Sequence, residues 1–425
     1  MGSRTTTVHK VSEVILGRQR NPQSDSGPYM VPYLRAANVK DGTLDLDDVK
    51  SMNFTPAEQR VFGLRPGDVL VTEGSGSLAA IGASAVWNGE VPGRVCFQNT
   101  LLRLRPRHDT DPRFLAWWAR AAYANGLFAS IATGANIYHL SAERVRALPI
   151  ALPTLEEQRR IADFLDAETA LIDRMLTLRA AQEGLLQERG HAAMHILATT
   201  GGETEVRQTG NPWVPVCGSD WSVIPLKTRW RIIDCKHKTP SYTPSGYPLV
   251  STGDIRPGRL DLSRTTRFVD ERDFLDLAGG ERRPLKGDIV YSRNASVGTA
   301  SFVDTEEPFT MGQDVCKITS KDQSQLFLTH FLNTVAVAEL EAIQIGSTFS
   351  RVNIAMLLNL SIACPPVHKQ HRLAKEMDSI NKGYEQVRQL LRRQSHLLAE
   401  RRQALITAAV TGQFDVTTGR GADLS

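Results

Sequence analysis

At 425 residues with a formal net charge of +4, the chain is long enough for two or more cores and carries only a mild positive excess. Its 41% hydrophobic and 23% charged content is ordinary for a soluble globular protein. No apolar run reaches membrane-span length and no apolar leader opens the chain, so the expected location is cytoplasmic, with no membrane partner. Five scattered cysteines (Cys96, Cys217, Cys235, Cys316, Cys364) contain no CxxC pair, which argues against a disulfide frame or a zinc cluster.

Taken in chain order, residues 1–151 read as a β-rich domain of short alternating strands separated by Gly turns. Its landmarks are Leu34 to Leu46, Arg65 to Val71 and Phe97 to Leu104. Ile150-Ala151-Leu152-Pro153 then opens a long segment without further Pro, and residues 152–200 predict one long helix. Thr154 and Glu157 supply a capping box at its start, and Gly201-Gly202 stop it. Residues 201–222, with Gly, Pro and two Trp, form a connector. The pattern then repeats. Val250 to Leu262 answers Leu34 to Leu46, Leu285 to Tyr291 answers Arg65 to Val71, and Met311 to Ile318 answers Phe97 to Leu104. Residues 223–363 are thus a second β-rich domain and 364–414 a second long helix, opened by Ile362-Ala363-Cys364-Pro365. Residues 415–425 predict a flexible tail. At about 44 residues and 1.5 Å per residue, each helix would be about 65 Å long.

Apolar positions in both helices alternate at spacings of four and three, the mark of a coiled coil. In the second the seam is Leu373, Met377, Ile380, Tyr384, Val387, Leu391, Gln394, Leu398, Arg401, Leu405 and Ala408. In the first it is Ile161, Leu165, Glu168, Ile172, Met175, Arg179, Gln182, Leu186, Arg189, Ala193 and Ile196. Gln182 mirrors Gln394 and Arg189 mirrors Arg401, either as register-fixing polar seam residues or as solvated positions. The fold class expected is α+β: two β-rich domains separated by two long antiparallel coiled-coil helices, in a pseudo-twofold tandem repeat.

The segment Ile150 to Asp166, read as IALPTLEEQRRIADFLD, closely resembles the signature that opens the central conserved helix in specificity subunits of type I restriction-modification enzymes. The Gly67 to Leu70 strand, the Ala132 to Asn136 turn and the ending Leu397 to Gly412 also resemble that family. The second copy departs at Pro365-Pro366-Val367-His368-Lys369-Gln370, where the acidic residue is missing and the Gln remains. The resemblance implies two target-recognition domains, each reading one half of a bipartite asymmetric DNA target, with the helices as the spacer that sets the unread gap. It further implies double-stranded DNA, two adenine-N6 methyltransferase subunits and translocase-endonuclease subunits as partners, no cofactor and no catalytic role. Major-groove contacts on one face of B-DNA lie about 34–36 Å apart or a multiple of it, an interval that a stiff helix pair can hold.

Base reading needs Arg or Lys for guanine and Asn or Gln for adenine on loops that reach a groove. In the first domain the candidates are Arg35, Asn38, Lys40, Ser75, Ser77, Gln98, Asn99, Asn136, Tyr138 and His139. In the second they are Arg256, Arg293, Asn294, Ser296, Gln313, Thr348, Ser350 and Arg351, with Lys236 and Lys238 for phosphates. Arg293-Asn294 stands out, because its Gly-flanked turn is placed to present both side chains outward. Each is weighed against the reading of an ordinary solvated loop residue. A self-sufficient DNA enzyme is the rival class. Neither Asn21-Pro22-Gln23 nor Asn211-Pro212-Trp213 matches an amino-methyltransferase motif, and no phosphate loop exists. Asp48-Val49-Lys50 and Asp234-Cys235-Lys236 share a nuclease-like local spelling, and His191 with His195 share a helix face, but no metal site is expected. A third possibility is an interaction subunit whose β-rich domains have lost DNA reading.

Overall fold

The computed structural model describes residues 4–294, 298–345, 352–416 and 420–421. They belong to two compact units, Met1–Arg179 with Arg393–Ser425, and Ala180–Arg392. Both boundaries fall inside the long helices, Leu155–Thr200 and Val367–Val410, so each unit combines one β-rich body with part of each helix.

In the first unit an antiparallel sheet runs in the order Ser12–Leu16, Leu101–Pro106, Asp68–Thr72, Ser84–Trp87. Successive residues of a strand face opposite ways. Val69, Val71, Leu102 and Leu104 therefore enter a core with the helix Pro112–Ala124, whereas Leu70 and Leu101 enter a second core on the other side with Leu34 and Phe97. That is why Asp68–Thr72 is buried throughout. A smaller sheet places Met30–Leu34 between a parallel neighbour, Cys96–Phe97, and an antiparallel one, Lys50–Asn53.

The second unit repeats this plan. Arg231–Asp234, Val315–Thr319, Ile289–Ser292 and Thr299–Phe302 form the main sheet, with Gly258–Arg259 added in parallel at the edge. Tyr247–Val250 lies between parallel Thr310–Met311 and antiparallel Phe268–Val269. Even the buried cation of the third strand position recurs. Arg103 bonds Glu13 at 2.6 Å, and Lys317 lies 3.2 Å from Asp288. The expected α+β class and tandem repeat are present. The connector is more than a linker: Val206–Gln208 pairs with Val216–Gly218, and Val214, Cys217 and Trp221 are buried in the second unit's core. In the segment expected to be a flexible tail, Asp415 belongs to a short ladder, Phe414–Asp415 with Arg420–Gly421.

The family-like signature at each helix start has a clear structural purpose. Thr154 and Glu157 form the expected capping box, each N–H answered by the other's side chain. Gln158, fully buried, accepts from the Asp111 N–H (2.9 Å) and donates to the carbonyls of Pro153 (2.9 Å) and Asp109 (3.1 Å). Asp111 is the N-cap of Pro112–Ala124, so one glutamine ties the start of the long helix to the start of the domain helix. Gln370 repeats the arrangement, accepting from the N–H of Ser324, the N-cap of Gln325–Leu332, and donating to Pro365 and Gln323. In that copy Lys369 stands where the acid would be, and it pairs with Glu203 (2.9 Å) and Asp220 (3.0 Å). Ile161, Ala162 and Leu165 then enter the first unit's core, as Leu373, Ala374 and Met377 enter the second's.

Within each unit the helix portions run antiparallel. Asp173 bonds Arg402 (2.9 Å) in the first, while Glu183 bonds Arg392 (2.7 Å) and Gly190 lies against the Tyr384 ring in the second. The seam departs from expectation at alternate positions, where the covered residue lies one place later. Leu176, Glu183, Gly190 and Leu197 are the more covered residues, whereas Met175, Gln182, Arg189 and Ile196 are exposed. On the second helix Arg388, Ser395, Arg402 and Ala409 take the place of Val387, Gln394, Arg401 and Ala408. A step of four rather than three at these points puts small residues and ion-pairing Arg and Glu in the seam, and leaves the polar quartet Gln182, Arg189, Gln394 and Arg401 on the exposed faces.

Candidate DNA interface

In the first unit the candidate loops converge through a chain of short contacts. The Ala36 N–H donates to Thr100 Oγ1 (3.0 Å), the Glu73 N–H to the Thr100 carbonyl (2.9 Å), and the Leu140 N–H to the Glu73 carbonyl (2.8 Å). Gly74–Ser75 pairs antiparallel with Tyr138–His139, and His139 Nδ1 lies 3.1 Å from Glu73. The segments holding Arg35, Ser75, Gln98, Asn99, Tyr138 and His139 therefore share one region. Gly17 permits the close approach of Gln98: a Cβ there would stand 2.2 Å from the Gln98 carbonyl oxygen.

Within that region the side chains differ in availability. Lys40, Ser77, Asn136 and His139 are exposed; Ser75, Gln98, Asn99 and Tyr138 are half-buried. Arg35 is committed to Asp48. Asn38 is buried and wholly used by its own turn: its amide donates to the carbonyls of Asp45 (2.9 Å) and Asp48 (3.2 Å), and its oxygen accepts from the Arg35 N–H. Asp48-Val49-Lys50 therefore contributes a partner for Arg35, not a catalytic carboxylate.

The second unit reproduces the backbone frame with different chemistry. The Arg293 N–H donates to the Asp314 carbonyl (2.8 Å) and the Val352 N–H to the Arg293 carbonyl (3.0 Å), so Arg293 occupies the place of Glu73. Asp314 takes a left-handed φ of 61°, which Asp tolerates better than most residues. The outward presentation expected of Arg293 is corrected here. Its side chain is only 4% exposed and is held by Asp234 at 2.8 Å, because a guanidinium at this depth needs a carboxylate. Asn294 is half-buried, its amide 3.4 Å from Asp314. Arg256 is exposed, and Gln313 is exposed with its amide on Thr239 (2.8 Å). Lys236 is half-buried and Lys238 exposed, but the carboxylates of the helix Glu271–Ala278 answer them: Asp276 bonds both and Asp273 bonds Lys238. Those two bonds hold the Asp276 carboxyl down to about 2. Ser296, Thr348, Ser350 and Arg351 lie outside the described residues. Sequence reading missed Tyr242, exposed beneath the Arg267 guanidinium (5.3 Å from the ring centre), beside the Ser251–Asp254 turn that matches Arg35–Asn38. It also missed Thr100, which ties three loops together; its alignment with Asp314 in the repeat was the available signal.

Asp234, Cys235 and His237 gather three donor types that suit a soft divalent ion. Their hydrogen bonds already use them internally. Asp234 holds Arg293 and the Cys235 N–H, and His237 points Nε2 at Asp234 (3.1 Å). A buried guanidinium beside the group opposes a cation, so these residues fit an ion poorly. A cleft of about 480 Å³ in the first unit, lined by Leu44, Val86, Arg113, Trp117, Arg120 and Asp166 among others, is likewise internally balanced. Arg113 pairs with Asp163 and Asp166, Arg120 with Asp41, and Trp117 Nε1 with Asp166.

The sequence matches the family described as the type I restriction modification DNA specificity domain over residues 7–180 and 237–391. It is 28% identical to the StySPI specificity subunit of Salmonella potsdam over 145 residues, 34% of this chain and 30% of that protein. It is 25% identical to the EcoKI specificity subunit of Escherichia coli (strain K12) over 269 residues, 62% of this chain and 54% of that one. The chain thus spans about a third to a half of the length of these two relatives. A putative specificity subunit, MjaX, of Methanocaldococcus jannaschii is matched more fully, at 22% identity over 91% of this chain and 88% of that one. Among solved structures, a chain from work on assembly and conformational transition of the type I R-M system aligns with a TM-score of 0.75 at 18% identity, covering 96% of this chain and 97% of that one. The HsdS subunit from Thermoanaerobacter tengcongensis aligns with a TM-score of 0.56 at 17% identity, covering 97% of each. These likenesses show a shared fold, and the family match, which covers more than half of the chain, shows that it belongs to the type I restriction-modification DNA specificity family.

Proposed function

We propose that this chain is the non-catalytic specificity subunit of a cytoplasmic type I restriction-modification complex, and that its two units read the two halves of an asymmetric DNA target. One observation carries the reading. The same loop frame is built twice with opposite chemistry, Glu73 with His139 in one copy and Arg293 with Asp234 in the other. Two unlike readers on one repeated scaffold call for two unlike half-sites. In the first unit the contacts come from Lys40, Ser75, Ser77, Gln98, Asn99, Asn136, Tyr138 and His139. In the second they come from Arg256, Asn294 and Gln313, joined by Tyr242 and Arg267. Each long helix enters both units and fixes the interval between half-sites. Two adenine-N6 methyltransferase subunits dock on these helices, whose exposed faces carry Leu171, Met175 and Leu178 in the first unit and Leu185 and Leu390 in the second. Translocase-endonuclease subunits then join for restriction.

A long-read methylome of cells expressing this chain with a type I methyltransferase subunit tests the reading. A new N6-methyladenine motif, split by a constant gap, is the expected result. No new motif, with the methyltransferase still co-purifying, would refute DNA reading by this chain.

A further inference from the structure

The tips of two adjoining loops in the first unit are apolar where a DNA-facing surface would be expected to be charged. Ser75 faces Tyr138 across the short ladder, so the next step outward sets Gly76 beside Ile137. Beyond it one loop continues as Ser77-Leu78-Ala79-Ala80 and the other returns through Gly134-Ala135-Asn136, every one of these residues exposed. Leu78 is 42% exposed and Ile137 57%. Neither 74–80 nor 132–138 contains a Lys or Arg, so these tips cannot serve by neutralising phosphates.

Both tips are built to hold their shape. Thr133 and His139 exchange backbone hydrogen bonds (3.0 and 2.8 Å), closing the second loop. Gly134 has φ +127°, and a Cβ there would meet the Ile137 carbonyl oxygen at 1.9 Å, so only glycine lets the chain turn back and carry Ile137 outward. The first loop is anchored by the Tyr123 hydroxyl, which donates to the Ala79 carbonyl (2.7 Å). An apolar side chain in a major groove has one specific partner, the C5-methyl group of thymine. The residue next to Ile137 is Asn136, whose amide matches the adenine edge of the same base pair.

We propose that Leu78 and Ile137 read a thymine methyl group, and that with Asn136 they make the first unit's half-site depend on an A·T pair. This rests on the DNA-reading function proposed above. The test uses the complex of this chain with its methyltransferase subunit and duplexes carrying the target found in the methylome, in which each thymine is replaced in turn by deoxyuridine. Losing one buried methyl should weaken binding about three- to fivefold at one thymine of one half-site. Ile137→Ala or Leu78→Ala should abolish the difference between thymine and uracil there while leaving the other half-site's preferences intact. Selective binding that is equal for thymine and uracil at every position would overturn the proposal alone, as would a pair of half-sites of which one, insensitive to Asn136→Ala, holds every thymine effect. Binding without any sequence preference would overturn the DNA-reading function and this proposal with it.

Discussion

Replacing Gln158 by leucine should loosen the first unit at one defined place. The side chain fits the volume but removes one acceptor and two donors, leaving the buried Asp111 N–H and the carbonyls of Pro153 and Asp109 without their partner. A buried orphan costs about 1–3 kcal/mol, and the carbonyls recover part of their loss from water, so a total of about 3 kcal/mol is expected. At 1.4 kcal/mol per factor of ten, local opening becomes about a hundredfold more frequent. Hydrogen–deuterium exchange of the full chain, followed by mass spectrometry, should show this as faster exchange across Phe114–Ala122, with Phe327–Leu332 unchanged. Gln370→Leu should give the reverse pattern. An exchange rate within threefold of the parent in both variants would refute the clamp, and equal loosening of both helices by either variant would refute its locality.

Other consequences can be measured independently. Burial holds the His330 imidazole down to about 4, below its ordinary value near 6.5, so the unfolded chain binds the extra proton first. Stability should therefore fall between about pH 6.5 and pH 4, by up to about 3 kcal/mol, and His330→Gln should flatten that part of a denaturation–pH curve. Asp234→Asn leaves buried Arg293 with only the longer Asp314 pairing (3.9 Å) and should cost about 2 kcal/mol in thermal or urea unfolding; an altered base preference with unchanged stability would instead return Arg293 to the DNA face. Leu178→Glu, on an exposed helix face, should leave unfolding within about 0.5 kcal/mol of the parent yet abolish co-purification of the methyltransferase subunit.

Features written in local chemistry were legible in the sequence. The doubled order of strands and helices, the Thr154–Glu157 box and the glycine stops all depend on neighbours a few residues apart. Features set by distant partners were not. Arg293 sits on a turn that looks free, and what buries it is Asp234, 59 residues earlier in the chain. Lys236 and Lys238 read as phosphate contacts because their carboxylates lie on a helix some 35 to 40 residues onward. Asn38 has a suitable base-reading side chain, yet the third position of a tight turn claims all of it. The seam was misread for a related reason. Steps of three and four are equally compatible with a heptad, and what decides between them is where Glu183 meets Arg392 and where Asp173 meets Arg402, pairings that no single helix records.

The division of the chain between its units bears on how it is made. The second unit is one continuous stretch, Ala180–Arg392, whereas the first needs Met1–Arg179 and then Arg393 onward. Ile406, Ala409 and Val410 lie in the same core as Val69, Leu104 and Phe114. During synthesis the part made first therefore waits for the part made last, and the later-made unit has all of its sequence earlier. A ribosome that stalls before residue 406 releases a chain whose N-terminal core is still open, with its apolar surface available to chaperones and proteases.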